Sequence, residues 1–119
     1  MIDVGAHQGE LFHALGSRLQ AGFGIEPLFA APMESSVCVI YPGFFPEVRP
    51  QDKGWDAITM LAVLEHIPRA DQPALAEACY ELLKVGGRVI IAAPSRAVDY
   101  ILLVLRFMRL DVFRSALWF

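Results

Sequence analysis

The chain is poor in several features that mark large functional classes. It has only two cysteines, Cys38 and Cys79, each inside an apolar stretch, and no C-x-x-C spacing. A disulfide scaffold and a thiolate metal centre are therefore excluded, and both thiols are expected to be buried, reduced and cytoplasmic. Charge is sparse: Asp, Glu, Lys and Arg make up 19% of the residues and the net charge is −3. That leaves no basic footprint for nucleic acid, the only local bias being Arg106, Arg109 and Arg114. Long apolar runs are missing too. The run over residues 100–105 is cut by Arg106 and Arg109, too short for a transmembrane helix. No basic segment followed by an apolar one marks a signal peptide. No repeat, low-complexity tract or linker divides the chain, and no three side chains show metal-ligand spacing.

What is present is apolar and regularly punctuated. Hydrophobic residues are 55% of 119, enough for one domain with one core and too many for a disordered chain. The first stretch, MIDVGAHQG, reads as a short strand over residues 2–4, an acid and a tight glycine turn. A helix is predicted over 10–21 from Leu11, Phe12, Leu15 and Leu19, with Glu10 suiting its start and Gly22 its end. Gly16 inside it costs about 1 kcal/mol unless it permits close packing.

A second strand is predicted over 23–26, ending at Glu26 and Pro27, then an irregular or helical turn over 28–33. The run VCVIY at 37–41 predicts a third strand buried on both faces. Residues 42–54, rich in proline and glycine, predict a loop with one turn near 44–48. A fourth strand follows over 56–60. Asp71 caps a helix over 73–84 whose buried face carries Leu75, Cys79, Leu82 and Leu83, and Gly86–Gly87 stops it. A fifth strand is predicted over 88–93 and a last helix over 97–110. This alternation implies an α/β fold with a mainly parallel, doubly wound sheet and helices on both faces. Ligands then bind at the carboxyl ends of the strands, where strand order reverses.

The strand ends carry the chemistry. In Asp3-x-Gly5-x-His7-x-Gly9 the glycines allow positive φ and close approach to a ligand, and the helix start offers N–H groups to an anion. Glu26 ends the second strand 17 residues after Gly9. A carboxylate at that point in a nucleotide-binding unit accepts hydrogen bonds from ribose hydroxyls.

Three segments now resemble the class I S-adenosylmethionine-dependent methyltransferases: IDVGAHQGEL at 2–11, GFGIEP at 22–27, and WDAITMLAVLEHIP at 55–68 followed by LLKVGGRVIIAAPS at 82–95. The last pair is the most diagnostic, being typical of the small-molecule and lipid-type domains. The resemblance implies a Rossmann-like sheet and S-adenosylmethionine as cofactor. It implies that Asp3, Gly5 and Gly9 hold the methionine end and that Glu26 binds the ribose hydroxyls. Leu61 and Ala62 lie beside the methionyl group, and Gly43 and Phe44 border the adenine ring. Glu65 and His66 belong to the segment facing the cofactor and acceptor.

Two departures stand out. His7 replaces the middle glycine of the first motif, either pointing to solvent or donating to the cofactor's carboxylate. The frequent acid beside the adenine is absent, and Phe44 or Phe45 stacks or packs there.

The sulfonium is an activated methyl donor, so the protein's task is to place the acceptor in line and exclude water. A hydroxyl acceptor needs a general base, and His66 is the candidate catalytic residue. His13 is expected on the polar side of the first helix. The resemblance also implies a single partial domain over 1–119, lacking the family's C-terminal antiparallel hairpin. The fifth strand is then an open edge, and with the C-terminal helix it offers a self-association surface. Residues 100–119 also suit contact with a membrane surface, compatible with a lipid-like acceptor. The competing readings are a non-catalytic remnant or interaction module, and a nicotinamide-dependent oxidoreductase. The missing G-x-G-x-x-G fingerprint counts against the oxidoreductase.

Overall fold

A computed structural model of the chain describes residues 1–92. The helix expected over 97–110, the apolar tail and the arginines near it lie outside the described residues. Six strands form one sheet: β1 (Ile2–Val4), β2 (Gly22–Glu26), β3 (Met33–Glu34), β4 (Cys38–Pro42), β5 (Trp55–Leu61) and β6 (Leu83–Ala92). Their order is β3-β4-β2-β1-β5-β6. All neighbours are parallel except β3, which runs antiparallel to β4. The chain moves from β1 outward through β2 to β4, then returns to the other side of β1 for β5 and β6. Strand order therefore reverses beside β1.

The two faces of the sheet follow from side-chain alternation. Ile2, Val4, Ile25, Ile58, Met60, Val89 and Ile91 meet Leu75, Ala76, Cys79 and Leu82 of helix α2 (Gln72–Leu82) on one face. Phe12 of helix α1 (Glu10–Leu15) packs with Ala6, Cys38 and Ile40 on the other. Phe12, Ile2, Ile40 and Ile58 are fully buried, each stabilising the fold by about 1.5–3 kcal/mol. Both cysteines are free and buried, and burial pushes the Cys79 thiol up to about 12.

Several local expectations are corrected. Helix α1 stops at Leu15 because Gly16 takes φ 51 and donates its N–H back to Phe12 O, and a 3-10 turn (Gly16–Arg18) follows. Gly22 does not end the helix but starts β2. The irregular turn expected over 28–33 is present up to residue 32, but Met33 already belongs to the short strand β3, held by pairing Met33 with Ile40 and Glu34 with Val39. β4 is not buried on both faces: Tyr41 is 36% exposed, stacked on Phe23 with ring centroids 5.0 Å apart. The cluster around α2 does not reach it. Helix α2 ends at Leu82, and β6 begins at once. Gly86 and Gly87 lie within that strand, where the register against β5 shifts. The turn near 44–48 closes with Val48 N–H on Phe44 O at 2.8 Å. Among the described residues β6 pairs with β5 alone, and no helix is long and apolar enough to cross a membrane.

Candidate active site

The carboxyl ends of β4, β2, β1 and β5 surround a cavity of about 420 Å³. Gly5 follows β1, Glu26 ends β2, Gly43 and Phe44 follow β4, and Leu61 and Ala62 come from the end of β5. His66 closes the ring from a 3-10 turn (Leu64–His66), its N–H bonded to Val63 O at 3.0 Å. Residues as far apart in sequence as Val4 and Ile67 thus line one space. Asp3 and Gly9 do not line it. Gly9 caps α1 and lies against the second core, with His13 Nδ1 donating to its carbonyl at 2.7 Å.

Glu26 is buried, and both carboxylate oxygens are engaged. Oε2 accepts from His7 N–H at 2.9 Å and Oε1 from Leu28 N–H at 3.2 Å. A carboxylate has about four lone-pair sites, so each oxygen keeps acceptor capacity for a ligand. The turn before it is held by Gly5 and Ala6 N–H groups on Ile25 O, at 2.8 and 3.1 Å. Gly5 has φ 77, and a Cβ there would lie 2.6 Å from Val63 Cγ2. Two lining residues that are not glycine also adopt left-handed backbone: His7 at φ 49 and Ala62 at φ 56. That conformation costs about 1–2 kcal/mol per residue and persists where the surroundings fix it, often at ligand sites.

A family model described as a methyltransferase domain matches residues 1–117. The chain belongs to the methyltransferase-domain family. The ubiquinone biosynthesis O-methyltransferase of Pseudomonas fluorescens is 31% identical over 105 residues, spanning 81% of this chain and 44% of that protein. Proteins of the same name from Pseudomonas entomophila and Pseudomonas savastanoi are each 32% identical over the same shares. The chain spans less than half the length of these curated relatives.

In this methyltransferase domain, Asp3 serves a neighbouring strand. Its Oδ1 accepts from Thr59 Oγ1 at 2.6 Å, both side chains being buried between β1 and β5. Burial raises the Asp3 carboxyl above its ordinary value. The Thr59 bond and the charge of His7 oppose this, and Glu10 and Glu26 add to it. A raised folded value means that the folded state takes up this proton more readily than the unfolded chain. Asp3 therefore disfavours folding at neutral pH, and the penalty is relieved as pH falls through the folded value. Asp3→Asn keeps an acceptor for Thr59 and cannot ionise. It is expected to raise the melting temperature at pH 7, with the gain shrinking toward pH 4 in a series of thermal melts.

Several cavity residues carry no distinctive sequence signal. Val63 and Ile67 pack against the core around α2, and Phe45 is buried in it. Leu28 offered one hint, an apolar residue directly after a strand-end acid and a proline. Three lining residues are exposed large hydrophobics: Leu28 at 85%, Phe44 at 69% and Leu61 at 44%.

Proposed function

We propose that this chain binds S-adenosylmethionine in the cavity at the strand ends and serves methyl transfer to a hydroxyl of a small, lipid-like acceptor. Residues 1–119 act in this as one cofactor-binding unit. The observation that carries the reading is Glu26: a buried carboxylate, held by two backbone N–H groups, on the wall of a cavity at the switch point of the sheet. The remaining features fit the same ligand. A cavity of about 420 Å³ falls within the range of small-molecule sites, roughly 300–1,000 Å³. Its walls combine apolar surface for a flat ring, at Phe44 and Phe45, with backbone at Gly5 and Ala62.

When bound, the sulfonium supplies a methyl group already activated for transfer. The chain's own residues hold, orient and take up a proton. Glu26 accepts hydrogen bonds from the ribose diol. Leu28 and Leu61, exposed at the cavity, offer apolar surface that helps exclude water. An imidazole nitrogen of His66 accepts the acceptor's hydroxyl proton. The hydroxyl and the lipid-like character are supported by the names of the ubiquinone biosynthesis O-methyltransferases, and by the exposed apolar residues at the cavity.

Calorimetry with S-adenosylmethionine and with NAD tests the cofactor. Heat with the first and none with the second is expected. The reverse would move the chain to the oxidoreductases, and silence with both would make it a non-catalytic module. The base is tested separately with a prenylated phenol as acceptor. His66→Ala is expected to lower turnover by about a hundredfold or more with cofactor affinity unchanged. Full turnover in that variant removes the proton-accepting role.

A further inference from the structure

We propose that Gln72 is a positioning residue for His66: it clamps the carbonyl of Ile67 and so holds the turn that presents the imidazole to the cavity. The inference rests on the proton-accepting role given to His66 above and adds a residue that does not itself line the cavity.

The corner between β5 and α2 has few inward anchors. Leu64 is fully buried. His66 lines the cavity and is exposed, Ile67 is half-buried, and residues 68–71 are all exposed. The next buried side chain is Gln72, the first residue of α2, at 4% exposure.

Its amide is half satisfied. Nε2 donates to Ile67 O at 3.2 Å, and Oε1 has no hydrogen-bond partner among the described residues. Backbone N–H groups just after Ile67 are engaged elsewhere or missing. Pro68 carries none, Asp71 N–H bonds to Pro68 O, and Gln72 N–H bonds to Arg69 O. The Gln72 side chain takes the place of a helical donor. Ile67 N–H is already fixed on Leu64 O at 3.1 Å, and His66 N–H on Val63 O at 3.0 Å. Holding Ile67 by its carbonyl as well pins both peptide groups that flank it, and the first of these joins it to His66.

The energetics favour a role in position over one in stability. A buried acceptor left unpaired costs more than a neutral hydrogen bond contributes. Methionine or leucine at this place would carry no such cost. Gln72 carries it and makes one side-chain bond, which ends one residue from the proposed base. A base must lie within hydrogen-bond reach of the proton it takes, and a misplacement of about 1 Å costs on the order of a hundredfold in rate. The Ile67 side chain packs separately against the core around α2, so the cavity wall persists when the clamp is removed.

The test uses Gln72→Met, which keeps the reach of the side chain and removes the donor, with Gln72→Leu as a second variant. In hydrogen exchange, the His66 and Ile67 amides are expected to exchange about tenfold faster than in the wild type. The α2 amides from Ala76 onward are expected to be unchanged, and the melting temperature equal or higher. Equal protection of the two amides in wild type and variants overturns the clamp. With a prenylated phenol as acceptor, kcat is expected to fall about tenfold, with the KM for S-adenosylmethionine within about twofold. In a His66→Ala background the same substitution is expected to change kcat by less than about twofold. An equal fall in both backgrounds means that Gln72 does not act through His66, and overturns the inference while leaving His66 as base. Full turnover in Gln72→Met does the same. Full turnover in His66→Ala removes the base, and the role of Gln72 with it. A wild type without turnover overturns the methyl-transfer reading and the inference together. Loss of folding in both variants would make Gln72 a residue of the core alone, and overturns the inference.

Discussion

Replacing Glu26 with alanine is expected to weaken binding of S-adenosylmethionine by about a hundredfold or more. The reason is the number of bonds lost to a charged acceptor. Each hydrogen bond to an ionised group contributes about 1.5–3 kcal/mol, and a ribose diol makes two. Even the lower figure, doubled, exceeds a hundredfold in affinity. A second effect acts in the free protein. Glu26 accepts the His7 and Leu28 N–H groups, and alanine leaves both without an acceptor. The loop after β1 and the chain after β2 then lose their common anchor.

Glu26→Gln separates the two effects, because it keeps the size and one acceptor oxygen but not the charge. Its affinity is expected to lie between those of wild type and Glu26→Ala, with a smaller loss of thermal stability. Calorimetry and melting curves on the three proteins check both parts. Wild-type affinity in Glu26→Ala would remove this residue from the diol site.

Gly5→Ala is expected to destabilise the fold by about 2–5 kcal/mol and to close the cavity. Two terms add. Left-handed backbone costs an L-residue about 1–2 kcal/mol, and Gly5 has φ 77. Overpacking costs about 1–3 kcal/mol, and the added Cβ would stand 2.6 Å from Val63 Cγ2. Val63 is short and branched, so it cannot swing its tip away as a lysine could. The double variant Gly5→Ala with Val63→Ala is expected to recover the steric part and leave the backbone part. Urea unfolding of the four proteins measures the coupling. An unfolding midpoint unchanged in Gly5→Ala would mean that residue 5 does not hold this backbone conformation.

The elements of this fold were legible where local pattern and tertiary packing agree. The stripe of Leu75, Cys79 and Leu82 predicts a helix, and α2 buries all three residues. A strand is expected over 56–60, and β5 pairs on both sides. Where the two disagree, tertiary contacts decide. The apolar stripe of the first helix continues to Leu19, but a glycine at position 16 lets the chain turn off the helix axis before β2. β3 has two residues and no periodicity to detect. It exists because β4 offers it an edge.

The site divides in the same way. The sequence alone determined which residues end strands: glycine turn, acid, post-strand segment. Their types set what each can offer a ligand: a carboxylate accepts hydrogen bonds and a glycine turn lets backbone approach closely. Only the tertiary structure decided which of them share one space. It set His66 and Phe44 around the same cavity as Glu26 and placed His7 on its wall. It turned Asp3 to Thr59, 56 positions away, and put Gly9 against the other core. The physical reason is strand pairing. Spacing along the chain sets the period of each element, but the neighbours of β1 are chosen by hydrogen bonds and burial with strands far away in sequence. Those neighbours determine what a strand-end residue faces.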